Sequence, residues 1–495
     1  MSARTLSFRR LLAAPGREAA VRDAVVEVQG GRVRSVAGGA AGADTGAAED
    51  LLAMPAMVNA HDHGYGLRPL ALGGADDALE CWIASLTGRP SIDAELEAAV
   101  AFGRMALSGI GATVHCHNSL AAERLADEAA GVARAAADVG LRVAFSCPIL
   151  DRNAFAYGDQ RALLPDLDPV DRTRLTAAMA RTGPASHLVD QVEGIAAAFE
   201  SERFRVQYGP IGPQWCEDAT LERIARASAD HDRRIHMHLL ESPRQREWLD
   251  FAYPRGIVRH LDDIGFLSPR LTVAHGVQLT EAECALLAER EVTVAVNTSS
   301  NLRLRSGVAP VARFIEHGLR FGLGLDGGAH DDDQDYFRDL RLAWRLHNGT
   351  GLAPAFPPAR LFDAALRDGA RVIDGAQDYG TIRAGARADL VALDYAAMGA
   401  DLLVDNNDEM DVLLTRATAE DIRHLIVDGR DVVRDGRLAS LDLGEMEAEL
   451  MARARSEAPI PPEQPARDRR RREAVRRYYA ANRHLSKYSG PRGGK

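Results

Sequence analysis

The strongest constraint on the fold is an alternation of short apolar segments with alanine-rich, helical segments between about residues 56 and 376. Each apolar segment has the length of a β-strand, and helical sequence follows it before the next strand begins. Eight parallel strands joined by helices close into a (β/α)8 TIM barrel, so we predict an α/β protein with this barrel. The predicted strands end at His63, His117, Cys147, Gly209, His238, His275, Asn297 and Asp326.

Both ends of the chain depart from this pattern and consist of short strand-like segments separated by glycine turns. Gly30 and Gly31 stand between two alternating runs, and a hairpin candidate surrounds Asp428 and Gly429. Such turns are typical of β-hairpins. We expect the two ends to pair into one small composite β-sandwich domain. The predicted domains are residues 1–55 and 377–440 for the two parts of the β-sandwich, 56–376 for the catalytic barrel and 441–495 for a helical, basic tail.

The C-terminal tail contains a helix candidate, a proline-rich break and a basic run from Arg467 to Arg477. A basic run of this kind is typical of the solvated face of a helix or of a contact between subunits. The whole chain has a net charge of -11. Because nucleic-acid binding requires an excess of positive charge, we predict no nucleic-acid partner.

The composition predicts a cytoplasmic protein. The chain has five cysteines at irregular spacing, which is typical of a reducing compartment and matches no zinc-knuckle pattern. No continuous apolar segment is long enough to cross a membrane, so we predict no membrane partner. The first residues lack the apolar core of a signal peptide, which also favours the cytoplasm.

Residues that bind metals recur at the ends of four predicted strands. His61 and His63 are one residue apart, so on a strand they lie on the same face and can chelate one ion. In a (β/α)8 barrel the carboxyl ends of the strands carry the chemistry. The other candidates are His236 and His238 on the fifth strand, Glu241 after the end of that strand, His275 on the sixth and Asp326 on the eighth.

The order of these motifs resembles the amidohydrolase superfamily. The similar branch contains S-adenosylhomocysteine, guanine and cytosine deaminases and the s-triazine hydrolases. The resemblance covers nearly the whole chain, because residues 380–391 and the hairpin after Val427 are similar to the composite β-domain of that family. The matching motifs are Pro55 to His63, His236 to Glu241, His275 and Asp326.

The resemblance implies one divalent metal ion per subunit, with zinc preferred and iron as the alternative. It implies that Glu241 transfers protons and that His275 polarises the water or hydrogen-bonds the developing tetrahedral centre. Asp326 would also accept a proton from the water. His236 is expected to support the site or to have a structural role. The implied metal ligands are His61, His63, His238 and Asp326.

The positions of lysine bear on the number of metal ions. The only lysines are Lys487 and Lys495. Two-metal relatives such as hydantoinases and dihydroorotases bridge their metals with a carbamylated lysine, so the resemblance here implies a mononuclear site. It favours hydrolytic deamination of a purine, pterin, pyrimidine or triazine. The alternatives are release of an alkylamine, a halide or a formimino nitrogen, and a silent barrel that only binds or assembles. Relatives are commonly homo-oligomers, which we also expect here.

Six residues near the strand ends are candidates for contacts with the substrate. Each has a structural alternative, such as a buried hydrogen-bonded imidazole for His117, a packed ring for Trp215 or a surface ion pair for Arg303. Relatives that act on guanine-like rings often carry an arginine after the Gly-Pro of the fourth strand, where this chain has Ile211. That difference argues against guanine. The candidates are His117, Gln214, Trp215, Asn301, Arg303 and His330.

Overall fold

The computed structural model describes residues 3–38, 49–86, 92–119, 122–153, 155–181, 186–327, 332–404, 408–457 and 460–486. Within these ranges the chain forms two eight-stranded sheets. None of the helices in the described part of the chain combines the length and the apolar character needed to span a bilayer.

The strands belong to a β-rich N-terminal segment, a central series and a β-rich C-terminal segment. In chain order they are β1 Arg4–Leu11, β2 Val21–Gln29, β3 Arg32–Ala37, β4 Leu51–Pro55, β5 Met57–Asp62, β6 Ile110–Cys116, β7 Arg142–Ile149, β8 Phe204–Pro210, β9 Ile235–Leu239, β10 Leu271–His275, β11 Thr293–Val296, β12 Arg320–Leu323, β13 Leu390–Asp394, β14 Ile422–Val427, β15 Arg430–Arg434 and β16 Arg437–Leu438.

The helices lie mainly between and after the central strands. In chain order they are α1 Leu79–Ser85, α2 Ala94–Leu107, α3 Leu125–Val139, α4 Pro169–Arg181, α5 Ser186–Phe199, α6 Asp218–His231, α7 Pro243–Ala252, α8 Ile257–Asp263, α9 Glu281–Glu289, α10 Thr298–Arg303, α11 Val311–Glu316, α12 Tyr336–His347, α13 Pro358–Ala365, α14 Arg367–Asp374, α15 Tyr395–Met398, α16 Glu409–Arg416, α17 Leu443–Glu457 and α18 Gln464–Ala480.

The central sheet is the predicted barrel. Strands β5 to β12 pair side by side in sequence order, and every pairing is parallel. The ring closes between β12 and β5, where the amide of Asp326 donates a 2.9 Å hydrogen bond to the carbonyl of His61. The prediction of a (β/α)8 barrel is therefore confirmed.

The strands read as continuous apolar runs because both of their faces are covered. All seven residues of β6 are buried, as expected for a parallel sheet with helices outside and a filled interior. Small side chains such as Ala60, Ala112 and Val114 fill the interior of the barrel, together with Val372 and Ile373 of α14. Helix α14 contacts β5, β6 and β12 and contributes to the core of the barrel.

The second sheet joins the two ends of the chain, as predicted. Its strand order is β16-β15-β14-β13-β4-β1-β2-β3, so β4 of the N-terminal segment pairs with β13 of the C-terminal segment. A buried ion pair connects this sheet to the barrel, since Arg142 on β7 places its Nε 2.8 Å from a carboxylate oxygen of Asp389. The residue numbers proposed above as domain boundaries stay predictions.

The basic tail is more buried than its sequence suggests. Helix α18 packs against α1. The side chain of Arg471 is only 2% exposed and lies 2.9 Å from a carboxylate oxygen of Asp171. The expected solvated face is therefore only part of the helix: its other face, with Tyr478 and Tyr479, is buried against the barrel domain.

Candidate metal centre and active site

The polar residues at the strand ends converge at the carboxyl end of the barrel. His61 is the penultimate residue of β5, His238 lies near the end of β9, and His275 ends β10. His63 and Asp326 follow the ends of β5 and β12. Because parallel strands end at the same rim, residues far apart in sequence come together there.

Four side chains direct potential ligand atoms toward one point. The Nε2 atoms of His63 and His238 are 3.3 Å apart. Oδ1 of Asp326 lies 3.1 Å from Nε2 of His61 and 3.4 Å from Nε2 of His63. With metal–ligand bonds of about 2.1 Å, neighbouring ligands of one ion are about 3.0 to 3.5 Å apart. The spacing therefore fits a single divalent ion.

The protonation pattern of the imidazoles also fits a metal. Nδ1 of His63 lies 3.1 Å from the carbonyl of Cys116, and Nδ1 of His238 lies 2.9 Å from the carbonyl of Ile211. A carbonyl can only accept, so Nδ1 of His238 carries the proton and its Nε2 presents a lone pair to the centre, whereas Nδ1 of His63 also lies 2.9 Å from the side-chain amide nitrogen of Asn118. Burial, followed by the neighbouring imidazoles, lowers the pKa of His238 well below its ordinary value, which keeps that ring neutral.

His236 supports the centre from behind. Its Nε2 lies 2.8 Å from Nδ1 of His61, and the two rings are stacked. If Nε2 of His61 binds the ion, its Nδ1 carries a proton and donates it to His236. The thiol of Cys116 is 3.3 Å from the same Nδ1. Potential ligand atoms of His61, Cys116 and His236 lie within 4.8 Å of one another, on the far side of His61 from Asp326.

Glu241 lies beside this centre on the turn between β9 and α7. Its amide donates a 2.6 Å hydrogen bond to Oε1 of Gln245, which fixes the turn. One of its carboxylate oxygens is 3.7 Å from Nε2 of His275. Burial is the main cause that raises the pKa of the Glu241 carboxyl well above its usual range, and the charges of Asp326 and Glu80 add to it.

His275 and Asp326 are both held by neighbouring polar groups and an unusual backbone. Nδ1 of His275 donates to Oδ1 of Asn301 at 2.9 Å, and Ser300 donates to Oδ2 of Asp326 at 2.6 Å. His275 has φ 74° and Asp326 has φ 63°. Left-handed backbone is uncommon for residues other than glycine and is concentrated at functional sites, where the surrounding structure maintains it.

A pocket of about 430 Å³ opens onto the centre, and His63, His238, Glu241, His275 and Asp326 form its floor. Its volume suits a small molecule. The wall combines apolar side chains with aromatic rings, which suit a flat heterocycle. The rings are Tyr65, Trp82, Phe155, Tyr157 and Trp215.

The predicted substrate contacts fall into three groups. His117, Gln214 and Trp215 line the pocket. His117 is held between His115 and Glu128, with its Nε2 3.0 Å from the Glu128 carboxylate. Asn301 and Arg303 are outside the lining: Asn301 holds His275, and Arg303 forms a 2.7 Å ion pair with Asp76. His330 lies outside the described residues.

The sequence did not single out Tyr157 and Glu80. Tyr157 lines the pocket, and its hydroxyl donates to Oε1 of Glu80 at 3.3 Å. Ser242, next to Glu241, also donates to that carboxylate. The available signal was a concentration of aromatic residues, including Trp82, in the long connections after the first and third barrel strands, since such loops often carry binding residues.

Comparisons with known proteins agree with this geometry. Residues 52–432 match the Amidohydrolase family. The chain is 31% identical over 312 residues to a 5'-deoxyadenosine deaminase of Methanothermobacter thermautotrophicus, which covers 63% of this chain and 66% of that protein. It is 32% identical over 248 residues to a 5-methylthioadenosine/S-adenosylhomocysteine deaminase of Syntrophobacter fumaroxidans, covering 50% and 56% of the two chains. The matches thus span less than two thirds of these relatives.

Among solved structures, an adenosine deaminase from Xanthomonas campestris with bound zinc is similar over 96% of this chain and 98% of its own, with a TM-score of 0.72. The sequences of the two proteins are 21% identical, so this likeness concerns the fold.

Proposed function

The chain belongs to the amidohydrolase family, and on that premise we propose that it is a metal-dependent aminohydrolase that deaminates a nitrogen heterocycle. The observation that carries the proposal is the meeting of three imidazoles and Asp326 at metal-binding distances, with Glu241 beside them on the floor of the pocket. The named deaminase relatives support the same reaction class.

We propose one ion per subunit, held by His61, His63, His238 and Asp326. Nitrogen and carboxylate ligands suit zinc, with ferrous iron as the alternative. When bound, such an ion makes water acidic enough to act as a nucleophile near neutral pH. The location in the cytoplasm and a homo-oligomeric state remain proposals, and the unpaired state of all five cysteines is compatible with a reducing compartment.

The protein groups divide the proton transfers of the reaction between them. Ser300 holds Oδ2 of Asp326, so this carboxylate is oriented to accept a proton from the attacking water. The raised pKa of Glu241 keeps its proton available for the leaving nitrogen. Water adds to the amino-bearing carbon, the C–N bond breaks, and the nitrogen leaves as ammonia because Glu241 protonates it. His275 is placed to hydrogen-bond the oxygen at the reacting carbon.

The charge of the pocket supports a substrate without anionic groups. Among the described lining residues are Glu97, Glu128, Glu241 and Asp326, and no arginine or lysine. A phosphate or carboxylate on the substrate would find no described cationic partner there. We therefore propose that a neutral nucleoside such as 5'-deoxyadenosine is a better substrate than a nucleotide such as adenosine 5'-phosphate.

The test is ammonia release by the zinc-loaded protein across amino-substituted purines, pterins, pyrimidines and triazines. We expect release from at least one compound and a fall of about 10²- to 10⁴-fold in Glu241→Gln, since proton transfer is lost. Glu222→Gln, on the exposed face of α6, is the matched control and should keep full activity.

The metal content of each protein distinguishes a failure of the proposed metal site from a failure of the proposed reaction. Glu241→Gln should retain one metal per subunit. Two metals per subunit would contradict the mononuclear site. If the metal-replete protein released ammonia from none of the compounds, deamination would be contradicted. Release of halide and of alkylamine would then be measured on the same protein.

A further inference from the structure

A second concave site lies at the opposite end of the barrel from the metal centre. It has a volume of about 500 Å³ and is formed by the end of α11, the start of β12, helices α13 and α14, and the segment before β13. Arg320 begins β12, whereas Asp326 follows its other end. Six residues of extended chain separate the two sites by at most about 20 Å along the strand.

Arginine dominates the lining of this second site. Five of its nine lining residues are arginines, and only Asp368 is acidic. Arg367 and Arg371 are four residues apart on α14, so they lie on one face of that helix. The five arginines are Arg320, Arg360, Arg367, Arg371 and Arg383.

The carboxylates around the site do not balance this charge. Arg360 and Arg367 share Asp363 and Asp368. Asp363 is also bound by Arg17 from the N-terminal segment. Glu291 pairs with Arg320. Five lining guanidiniums therefore face three carboxylates, one of which also serves a sixth arginine, although the chain as a whole has a net charge of -11.

Two of the arginines have unused hydrogen-bonding capacity. Nε of Arg371 is buried and makes no hydrogen bond, and the nearest carboxylate oxygen, on Asp368, is 3.9 Å away. Arg383 is exposed, and among the described residues no ion pair of its guanidinium is found. A buried donor without an acceptor is costly, so an oxygen-rich ligand would gain from binding there.

From this arrangement we infer that the arginine site binds a small anion that carries two phosphate groups. A planar guanidinium donates two parallel hydrogen bonds to a phosphate, and several of them in one concavity can hold two phosphates at once. The volume suits a metabolite-sized molecule and not an extended polymer surface. The metal centre at the other rim of the barrel takes no part in this site.

The experiment is calorimetric titration of the full-length, metal-loaded protein with fructose 1,6-bisphosphate, compared with fructose 6-phosphate and inorganic phosphate. We expect one site per subunit and at least about tenfold tighter binding of the bisphosphate than of either monophosphate, because a second phosphate meets its own guanidiniums. Binding should weaken as the salt concentration rises.

Variants of the lining arginines test whether the bisphosphate binds at this site. Arg371→Gln and Arg383→Gln should each weaken bisphosphate binding by about tenfold or more, which corresponds to about 1.4 kcal/mol. Arg383 is exposed, so its variant should fold like the parent, and thermal unfolding without ligand checks this. Arg226→Gln on the exposed face of α6 is the matched control. Absence of saturable binding, or equal binding by the parent and both site variants, would overturn the inference.

Discussion

Neutralising Asp171 should loosen the C-terminal helix from the wall of the substrate pocket. The Asp171 and Arg471 side chains are 4% and 2% exposed, and their charged atoms are 2.9 Å apart. Nε of Arg471 also donates to the carbonyl of Ala84 at 2.7 Å, directly at helix α1. In Asp171→Asn the guanidinium stays buried, with Asp468 as its remaining carboxylate partner.

The size of the expected destabilisation follows from the burial of the ion pair between Asp171 and Arg471. Removing one partner of a buried ion pair costs about 3 to 5 kcal/mol, because the other charge is left without compensation. Since Asp468 and the carbonyl of Ala84 remain, the lower limit of about 3 kcal/mol applies. If α18 opens as a local unit, this free energy raises its opening equilibrium about 150-fold.

Hydrogen exchange followed by mass spectrometry on the metal-loaded protein is the appropriate measurement. Exchange should accelerate about 150-fold in α18 and in α1, but not in the strands of the barrel. Glu473→Gln is the control, since Glu473 and Arg476 form an exposed pair on the same helix, worth about 0 to 1 kcal/mol. An acceleration of less than about fivefold in α18, or an equal one in β5, would refute this account.

Three further predictions concern the site and its surroundings. Removal of the metal with a chelator should abolish activity and lower the melting temperature, and zinc should restore both; a chelator-resistant activity would contradict the metal centre. Asn301→Ala should lower kcat about 10- to 100-fold with little change in KM, because His275 loses the acceptor that orients it; an effect on KM alone would contradict this. Burial raises the pKa of Asp339 to about 6, so ionisation destabilises the native state as the pH rises from about 4 to 6. Asp339→Asn should therefore gain up to about 3 kcal/mol relative to the parent between pH 4 and 7.5 in urea titrations, and a difference independent of pH would contradict the assignment.

The barrel and the metal ligands could be predicted because they depend on patterns that repeat along the chain. A parallel strand covered on both faces is mostly apolar, and a histidine stands at or near the carboxyl end of two of these strands, at His61 and His275. Parallel pairing then places those strand ends at one rim of the barrel. The position of the site could therefore be predicted without knowing the structures of the loops. The prediction that the two ends of the chain share a sheet rested on a different pattern, the short strand-like segments separated by glycine turns at both ends.

The loops and the tail could not be predicted in the same way. Tyr157 reaches the pocket from an irregular connection and Trp82 from the short helix α1, and their positions depend on contacts with α18 that no periodicity encodes. The basic run of the tail indicated a solvated helix, but burial of Arg471 depends on one distant aspartate. Asn301 and Arg303 followed a barrel strand as predicted, yet the direction of each side chain was decided by His275 and Asp76.

The polarity of the parallel strands explains why the chain can carry two different kinds of site. At the carboxyl rim the strand ends place imidazoles and carboxylates around a cation, and the backbone of His275 and Asp326 is held in the left-handed region to achieve it. At the amino rim α14 contributes Val372 and Ile373 to the interior of the barrel, so Arg367 and Arg371 of the same helix stand on a rigid base. Arginines that are already held in place lose little conformational entropy when an anion binds. The entropic cost of binding an anion at this rim is therefore small.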